Sequence, residues 1–373
     1  MTATPRLLLD RPRLERNAAR LRARCAELGI AFRPHLKTAK CAEVARIGHE
    51  GRTGPVTVST LREAEFLAED GFTDFLLATA VTPDRLPRVA ALQERGARIT
   101  VVADDPAMIR LLGEAASRPL DLLLEVDCGE HRSGTDPDGA ALLAAAEAAS
   151  RHPFLRLQGV LTHAGHSYGT GDPARLAEIA EAERVAAVHA AGRLRVRGHD
   201  CAVISIGSTP TLLYARHLEG VTEVRAGVSL FWDLAQLSRG MCGWDDLALS
   251  VEASVIGHQR TFPGAAGALV LDAGALAMSK DTGANAFMPE ARFGILADAA
   301  TGERLPLSVA VLHQEHGTVP VPDALWFGRL PLGSRVRVLP NHACLTAAGG
   351  HGGYDVHLGD GIPAARWMRC DGW

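Results

Sequence analysis

Hydrophobic and polar positions follow two different patterns along this chain, and the change comes near residue 245. Before it, short apolar runs alternate with longer segments of helical period rich in Ala, Leu and Glu. The apolar runs cover residues 31–34, 55–59, 74–79, 98–102, 120–127, 155–163, 201–207 and 223–231. Eight such alternations predict a (β/α)8 barrel. An open doubly wound sheet is the alternative, because a pattern alone does not show closure.

The second pattern consists of strand-like runs separated by Gly, Pro and Asp turns. These runs cover residues 249–259, 267–272, 307–315, 334–339 and 354–358, and they predict a mostly antiparallel β domain. We therefore expect a barrel over residues 18–245 and a β domain over residues 246–373. The strand-like run at 6–10 precedes the barrel, and residues 1–17 are expected to join the β domain.

Composition and charge narrow the possible partners and location. The 373 residues are 47% hydrophobic, which allows a large core, and the net charge is −4 without a run of basic residues. Neither a nucleic acid nor a membrane is therefore an expected partner. The seven cysteines are odd in number and form no CxxC pair, and the N-terminal region resembles no export signal. We expect a reducing, cytoplasmic environment.

Reactive polar side chains collect where the predicted barrel strands end, which is where barrels of this class carry their active sites. They are His35 and Lys37; Asp127, His131 and Arg132; His163, His166 and Tyr168; Ser208 and Thr209; and Arg225, Gly227 and Asp233. The turn at Ser208 can present hydroxyl and N–H groups to an anion, although the same turn could be an ordinary helix cap. Its position after the seventh strand favours a phosphate site.

Lys37 follows the first strand, so it faces the barrel mouth together with that turn. Most lysines are solvated surface groups. A lysine near two other cations, Arg33 and Lys40, is however favoured in its neutral, nucleophilic form. A rim lysine and a phosphate-binding turn are the arrangement that pyridoxal phosphate requires.

Several motifs carry a resemblance to a known family: RPHLKTAK, EVDCGEHRSG, HAGHSYG, SIGSTPT, EVRAG, LDAGALAMSKD, QEHG and PNHACLT. The chain resembles the fold-type III pyridoxal-phosphate enzymes related to alanine racemase, most closely the D-serine dehydratase and D-threonine aldolase group. The resemblance implies a homodimer with active sites at the subunit interface. It also implies that Lys37 forms the Schiff base, that Arg132 approaches the cofactor ring, and that Arg225 is a candidate partner of the pyridine nitrogen. Ser208, Thr209, Gly227 and Val228 would hold the phosphate.

One departure from that family stands close to the lysine. The group usually has His where this sequence has Ala39, so the role of that imidazole is absent or replaced here. Tyr168 is expected to orient the substrate or the cofactor, and packing alone is a nearly equal alternative for it.

A metal site is predicted from His342 and Cys344, which are two residues apart after a strand and so share a face if the chain stays extended. Imidazole and thiolate ligands favour Zn²⁺. A buried Cys beside a core His is the alternative for an isolated His-x-Cys spacing. The resemblance favours zinc, because the dehydratases carry this pair whereas the aldolases carry Asp at the second position. His316 could be a third ligand, and His351 and His357 are expected in a solvated loop.

These features together predict a dehydratase dependent on pyridoxal phosphate and zinc that acts on a D-3-hydroxy amino acid such as D-serine. A retro-aldolase that releases glycine and an aldehyde is the alternative. A racemase would need a second base, and Tyr354 is the one tyrosine of the β region. A non-catalytic pyridoxal-phosphate carrier is disfavoured by the additional β domain and by the predicted metal pair.

Overall fold

The computed structural model of the protein describes residues 3–373. Two compact units are found by their internal contacts: one contains the residues up to Ala19 and Val228–Cys370, the other Arg20–Gly227 and Asp371–Trp373. The ranges 18–245 and 246–373 as separate domains stay a prediction. Within residues 3–373, no helix is long and apolar enough to cross a membrane.

The strands fall into two sheets. In chain order they are β1 (Arg6–Asp10), β2 (Ala31–Pro34), β3 (Val56–Val58), β4 (Asp74–Leu77), β5 (Arg98–Ala103), β6 (Leu120–Glu125), β7 (Leu155–Leu161), β8 (Val203–Ile206), β9 (Glu223–Ala226), β10 (Leu249–Gln259), β11 (Gly267–Leu271), β12 (Gly294–Asp298), β13 (Arg304–Ser308), β14 (Val311–Leu312), β15 (Gly317–Val321), β16 (Arg335–Pro340), β17 (Gly353–His357) and β18 (Pro363–Met368).

The longer helices connect the strands of the first sheet. The α-helices are α1 (Arg11–Glu27), α2 (Ala42–Gly48), α3 (Leu61–Glu69), α4 (Leu86–Glu94), α5 (Pro106–Ala115), α6 (Ala140–Ser150), α7 (Pro173–Val196), α8 (Thr209–Tyr214), α9 (Leu234–Leu237), α10 (Ala275–Met278), α11 (Trp326–Arg329) and α12 (Ala343–Ala347). The starts of α5 and α7 combine an Asp cap with a proline at the first helical position, where its missing N–H is not needed.

The eight strands β2–β9 form a parallel sheet in the order β2-β9-β8-β7-β6-β5-β4-β3. The two ends of this sheet meet just beyond β2, where His35 pairs with Thr57 of β3. The Leu36 N–H donates to the carbonyl oxygen of Thr57 at 2.8 Å. The sheet therefore closes on itself, which confirms the (β/α)8 barrel and excludes the open doubly wound sheet.

The barrel interior has an apolar layer and a charged layer. Leu76, Val102, Leu123 and Leu161, one from each of four neighbouring strands, form a buried cluster, and Val203 packs against it. Another inward residue is Arg33, whose guanidinium contacts Glu223 and Asp74 at 2.8 Å each. The guanidinium and the two carboxylates come from three strands, and their pairing lowers the cost of burying them.

The second sheet is mostly antiparallel, as the sequence predicts. Its main path is β13-β12-β16-β10-β1-β17-β18, and β11, β14 and β15 continue from the long strand β10. Strand β1 pairs antiparallel with β10 and parallel with β17. Strands β12, β15 and β18 were not predicted, since each is short and rich in Gly, Pro or Ala.

Candidate active site

A cavity of about 410 Å³ opens at the C-terminal ends of the barrel strands. Its lining includes Lys37, Arg132, His163 and Arg225. Another cavity, of about 490 Å³, lies at the opposite ends of the strands, where Arg98 and Arg156 line it. The N-terminal end of such a barrel serves stability, and the C-terminal end serves chemistry. The first cavity is therefore the candidate site.

Lys37 is one of the residues that line this cavity. Within residues 3–373, its Nζ forms no hydrogen bond or ion pair with a protein group. The neighbouring Lys40 differs, because its Nζ lies 3.1 Å from Oε1 of Glu63, a fully buried carboxylate. Arg33, the other cation expected near Lys37, is likewise paired with carboxylates, those of Asp74 and Glu223.

Arg225 places a buried positive charge in the cavity wall. Its Nε donates to Oγ of Ser205 at 2.9 Å, and its Nη2 donates to the carbonyl oxygen of Thr162. Burial lowers the pKa of Arg225, while nearby Glu183 and Glu223 counteract that effect. A guanidinium has five N–H donors, so Arg225 retains donors for a ligand in the cavity.

His163 is held neutral beside Lys37. Its Nδ1 lies 2.5 Å from the carbonyl oxygen of Gly207, and because a carbonyl only accepts, Nδ1 carries the proton. Burial, together with the positive charges of Lys37 and Arg225, lowers the pKa of His163 to about 3. Burial and the charge of Lys37 also hold the pKa of His35 well below its ordinary value. Two neutral imidazoles thus surround the lysine.

Arg132 is more exposed than Arg225 and is less tightly paired. About half of its side chain is exposed, and its two carboxylate contacts are loose: 3.7 Å to Glu125 and 3.6 Å to Glu130. Glu125 also accepts a hydrogen bond of 2.8 Å from Ser133, and burial raises the pKa of its carboxyl. Arg132 is therefore free to turn towards an anionic ligand.

The turn that is predicted to bind phosphate begins at Ser208, directly after Gly207, whose carbonyl oxygen binds His163. Ser208 caps α8, its Oγ accepting the Thr211 N–H at 3.2 Å and lying 3.0 Å from Oγ of Ser167. The Thr209 N–H donates to the Tyr168 hydroxyl at 3.2 Å. The structure thus brings Tyr168 and this turn together, but Ser208, Thr209 and Tyr168 are not among the residues that line the cavity.

Two glycines let the strand ends approach closely. A Cβ on Gly207 would lie 2.2 Å from the carbonyl oxygen of Arg225, and one on Gly227 would lie 2.4 Å from that of His35. Both sites therefore require glycine. Val228 follows Gly227 and begins a buried 3₁₀ turn, Val228–Leu230. The family role of these residues at a phosphate stays a prediction.

The predicted metal pair lies in the other unit, at the start of α12. Nδ1 of His342 lies 2.6 Å from Oδ2 of Asp281. Burial works against the charged imidazole, but the hydrogen bonds with Asp281 and Cys344 outweigh it and raise the pKa of His342 to about 11. The side chains of His342 and Cys344 are thus adjacent, although the chain does not stay extended here, because Cys344 lies in α12. Their role as a metal pair stays a prediction. Asp281 was missed as a partner, although it closes the quoted motif LDAGALAMSKD.

Other histidines of this region do not complete a larger metal centre. Among residues 3–373, no group of three or more His, Cys, Asp or Glu side chains is arranged to hold a metal ion. His316 is exposed in the turn between β14 and β15. The prediction of a solvated loop for His351 and His357 is wrong: both are buried, His351 against the carbonyl oxygen of Ala277 and His357 accepting from two glycine N–H groups.

The residues present fit the two implied groups. For pyridoxal phosphate, the cavity offers the Lys37 amine, the buried guanidinium of Arg225 and a neutral imidazole, and its volume lies in the range of ligand pockets. For a metal, Asp281 binds Nδ1 of His342 and leaves Nε2 as the available donor beside the Cys344 sulfur. The negative environment that retains a proton on this imidazole suits a divalent cation equally.

Comparisons with known proteins agree with both units. Residues 9–234 match the family model described as alanine racemase, N-terminal domain. Residues 248–354 match a serine dehydratase domain model. The solved structure of an alanine racemase from Bacillus anthracis shares the fold, with a TM-score of 0.72 at 14% identity over 99% of this chain and 98% of that one.

Two relatives are similar over nearly their whole length. D-threo-3-hydroxyaspartate dehydratase from Delftia sp. (strain HT23) is 40% identical over 99% of this chain and 98% of its own. Its solved structure has a TM-score of 0.93, with 38% identity over 100% of this chain and 99% of that one. Solved structures of D-threo-3-hydroxyaspartate dehydratase variants, 38% identical to this chain, include a His-to-Ala change and, two positions further on, a Cys-to-Ala change in a metal-free form. D-serine dehydratase from Dictyostelium discoideum is 28% identical over 92% of this chain and 91% of its own.

Proposed function

Because this chain belongs to the alanine racemase-like family and combines its barrel domain with a serine dehydratase domain, we propose that it is a pyridoxal-phosphate- and zinc-dependent dehydratase. Its reaction is the conversion of a D-3-hydroxy amino acid to a 2-oxo acid and ammonia, in line with the dehydratases that it resembles. The observation that carries the proposal is the uncommitted amine of Lys37 in a cationic cavity at the barrel mouth.

Lys37 is the proposed catalytic base. Pyridoxal phosphate, when bound, supplies an electron sink that acidifies the Cα–H bond of an amino acid. The Lys37 amine takes up that proton, and it can do so because no protein carboxylate lies within ion-pair distance of it in the described chain. Lys40 could not take this role, since Glu63 holds its ammonium.

His163 and Arg225 orient and do not transfer protons in this proposal. His163 stays neutral throughout the working pH range, and its Gly207 hydrogen bond fixes the ring plane. Arg225 is locked by Ser205 and Thr162, so it presents its remaining donors in one direction. Both residues support the proposed binding of the cofactor ring at this wall of the cavity.

His342 and Cys344 are the proposed zinc ligands. Zinc, when bound, supplies a Lewis acid for the leaving hydroxyl, which is otherwise a poor leaving group. Asp281 orients His342, as carboxylates commonly do behind metal-binding imidazoles. The His and Cys changes in the solved D-threo-3-hydroxyaspartate dehydratase variants have the same spacing, and the Cys variant was in a metal-free form, which supports this proposal.

The proposed substrate is a D-3-hydroxy amino acid with a second carboxylate, such as D-threo-3-hydroxyaspartate, with D-serine as a smaller alternative. The cavity lining includes Lys37, Arg132 and Arg225 as cations and Glu125 as a buried carboxyl group of raised pKa. Arg132 has only loose carboxylate contacts and is the proposed partner of substrate carboxylate.

We propose that the protein acts as a homodimer in a cytoplasmic setting. Leu276, Phe287 and Leu345, on or near the helices α10 and α12, each expose about half of their side chains. Exposed apolar groups of this size beside a metal pair favour cover by a second copy of the chain. Light scattering on the purified protein tests the assembly: a mass twice that of the chain supports it, and the monomer mass contradicts it.

The alternatives differ in their products. A retro-aldolase would use the same lysine and metal but break the Cα–Cβ bond, and Cys344 in place of Asp disfavours it. A racemase lacks support at Tyr354, which is fully buried and packs edge-on against Phe231 with ring centroids 5.6 Å apart.

The proposed dehydratase is tested by turnover of D-threo-3-hydroxyaspartate and D-serine before and after chelation of the metal. Loss of ammonia release on chelation and its return with Zn²⁺ support the proposal, and unchanged turnover contradicts it.

A further inference from the structure

Asn341, the residue before His342, has a buried side chain that forms three hydrogen bonds. It is 1% exposed. Its Oδ1 accepts the Ala284 N–H at 2.8 Å, and its Nδ2 donates to Oδ1 of Asn285 at 2.9 Å and to the carbonyl oxygen of Arg292 at 2.6 Å. A carboxamide has one acceptor and two N–H donors, so every group of Asn341 is used.

All three partners of Asn341 lie in one irregular segment, residues 279–292, which joins α10 to β12. Its only regular element is a short 3₁₀ turn, Pro289–Ala291. Asp281, the carboxylate bound to His342, belongs to the same segment, three residues before Ala284. Backbone hydrogen bonds fold the segment into turns, such as the Asn285 N–H to the carbonyl oxygen of Thr282 at 2.9 Å. The Asn341 amide ties these turns to the chain that follows β16, and so satisfies backbone groups that the segment does not pair itself.

We propose that Asn341 is a positioning residue for the metal pair, acting through Asp281 on His342. This inference rests on the proposed zinc site. The Asn341 amide fixes segment 279–292, the segment holds Asp281 against Nδ1 of His342, and Nε2 is thereby presented to the metal. Asp233 assists from the other side, since its Oδ2 accepts the Ala343 N–H at 2.9 Å.

The chain offers a matched pair of substitutions. Asn341→Asp keeps the shape and the acceptor but removes both donations and sets a carboxylate against two oxygen atoms. Asn17 is also 1% exposed in the same unit, and its Nδ2 donates to the carbonyl oxygens of Leu230 and Asp246. Asn17→Asp therefore makes the same chemical change without touching segment 279–292.

The readout is Zn²⁺ affinity, measured by chelator competition on the full chain, which does not depend on turnover. We expect Asn341→Asp to weaken Zn²⁺ binding about tenfold or more, and Asn17→Asp to leave it within about twofold. Equal affinity in the wild type and Asn341→Asp, or equal losses in both variants, would overturn the inference. If the wild type itself binds no Zn²⁺, the proposed metal site fails together with the inference.

A double substitution distinguishes positioning from general destabilisation. In a chain that already carries Asp281→Asn, Asn341→Asp should cost less than about twofold in Zn²⁺ affinity, because its route through Asp281 is gone. If the Asp281→Asn and Asn341→Asp substitutions instead lower Zn²⁺ affinity by factors that multiply, the inference is contradicted. If Asn341→Asp does not fold, Asn285→Ala removes one partner without a buried charge, and a roughly threefold loss of Zn²⁺ affinity is expected; no loss would overturn the inference.

Discussion

Nδ1 of His163 donates a hydrogen bond of 2.5 Å to the carbonyl oxygen of Gly207, and this contact links the end of β7 to the turn that caps α8. It fixes which nitrogen of His163 carries the proton. It also ties the imidazole to the turn proposed for the cofactor phosphate. Lys37, His163 and Gly207 can be substituted one at a time, and cofactor attachment, the pH dependence of stability and the free energy of unfolding can then be measured.

Replacing Lys37 should remove the cofactor's covalent attachment and the reaction together. We expect Lys37→Arg to lose the visible absorbance of the lysine-bound cofactor and at least about 10³-fold in turnover, because a guanidinium is a poor nucleophile and base. Lys40→Arg is the matched control. It keeps the ion pair with Glu63 and should retain most activity. Absorbance and turnover that survive in Lys37→Arg would refute the assignment.

His163 should make the cofactor-free protein less stable in mild acid. Burial and Lys37 lower its pKa to about 3, from an ordinary value of 6.5. Between those values the unfolded chain binds one more proton than the folded chain at this residue, so stability falls as pH falls, by up to about 1.4 kcal/mol per pH unit. Urea unfolding at several pH values measures the slope. His163→Gln should reduce the slope, and an unchanged slope would show that His163 does not cause it.

Gly207 should tolerate no side chain. Because its Cβ would meet the carbonyl oxygen of Arg225 at 2.2 Å, we expect Gly207→Ala to destabilise the protein by about 1–3 kcal/mol and to weaken cofactor binding. Gly192 in α7 has open space around its Cβ position. Gly192→Ala is the control and should stabilise by about 0.5–1 kcal/mol. Thermal unfolding and cofactor titration compare the two; similar outcomes would argue against a steric role for Gly207.

Ala39 should not accept the histidine that the family usually carries. Its side chain is 1% exposed, so an imidazole there would have to displace its neighbours. We expect Ala39→His to cost about 1–3 kcal/mol of unfolding free energy. Chemical denaturation measures this cost. A variant as stable as the wild type, with higher turnover, would show instead that the site can use the family's imidazole.

Much of the barrel could be predicted from the chain, because its strands are short, apolar and regularly spaced. The predicted run 31–34 coincides with β2. Of the polar residues predicted at the strand ends, His35, Lys37, Arg132, His163 and Arg225 line one cavity, whereas Ser208, Thr209 and Tyr168 do not. Strand ends follow from local sequence, and the barrel fold then brings them together.

The side-chain partners could not be predicted in the same way. Asp281 meets His342 across 61 residues, and Asn341 meets Ala284 across 57. No local pattern encodes such pairs. Burial of His351 and His357 was missed for a related reason. Histidines near glycines are typical of loops in sequence, and their buried backbone partners are found only in the structure.

The proposed reaction of this protein is the removal of water from a D-3-hydroxy amino acid. D-Threonine, supplied with pyridoxal phosphate and Zn²⁺, is the decisive substrate, since it can be either dehydrated or cleaved. Product analysis should give 2-oxobutyrate and ammonia in equal amounts, with both lost in the Lys37→Arg and Cys344→Ser variants. Glycine and acetaldehyde as the products would contradict it.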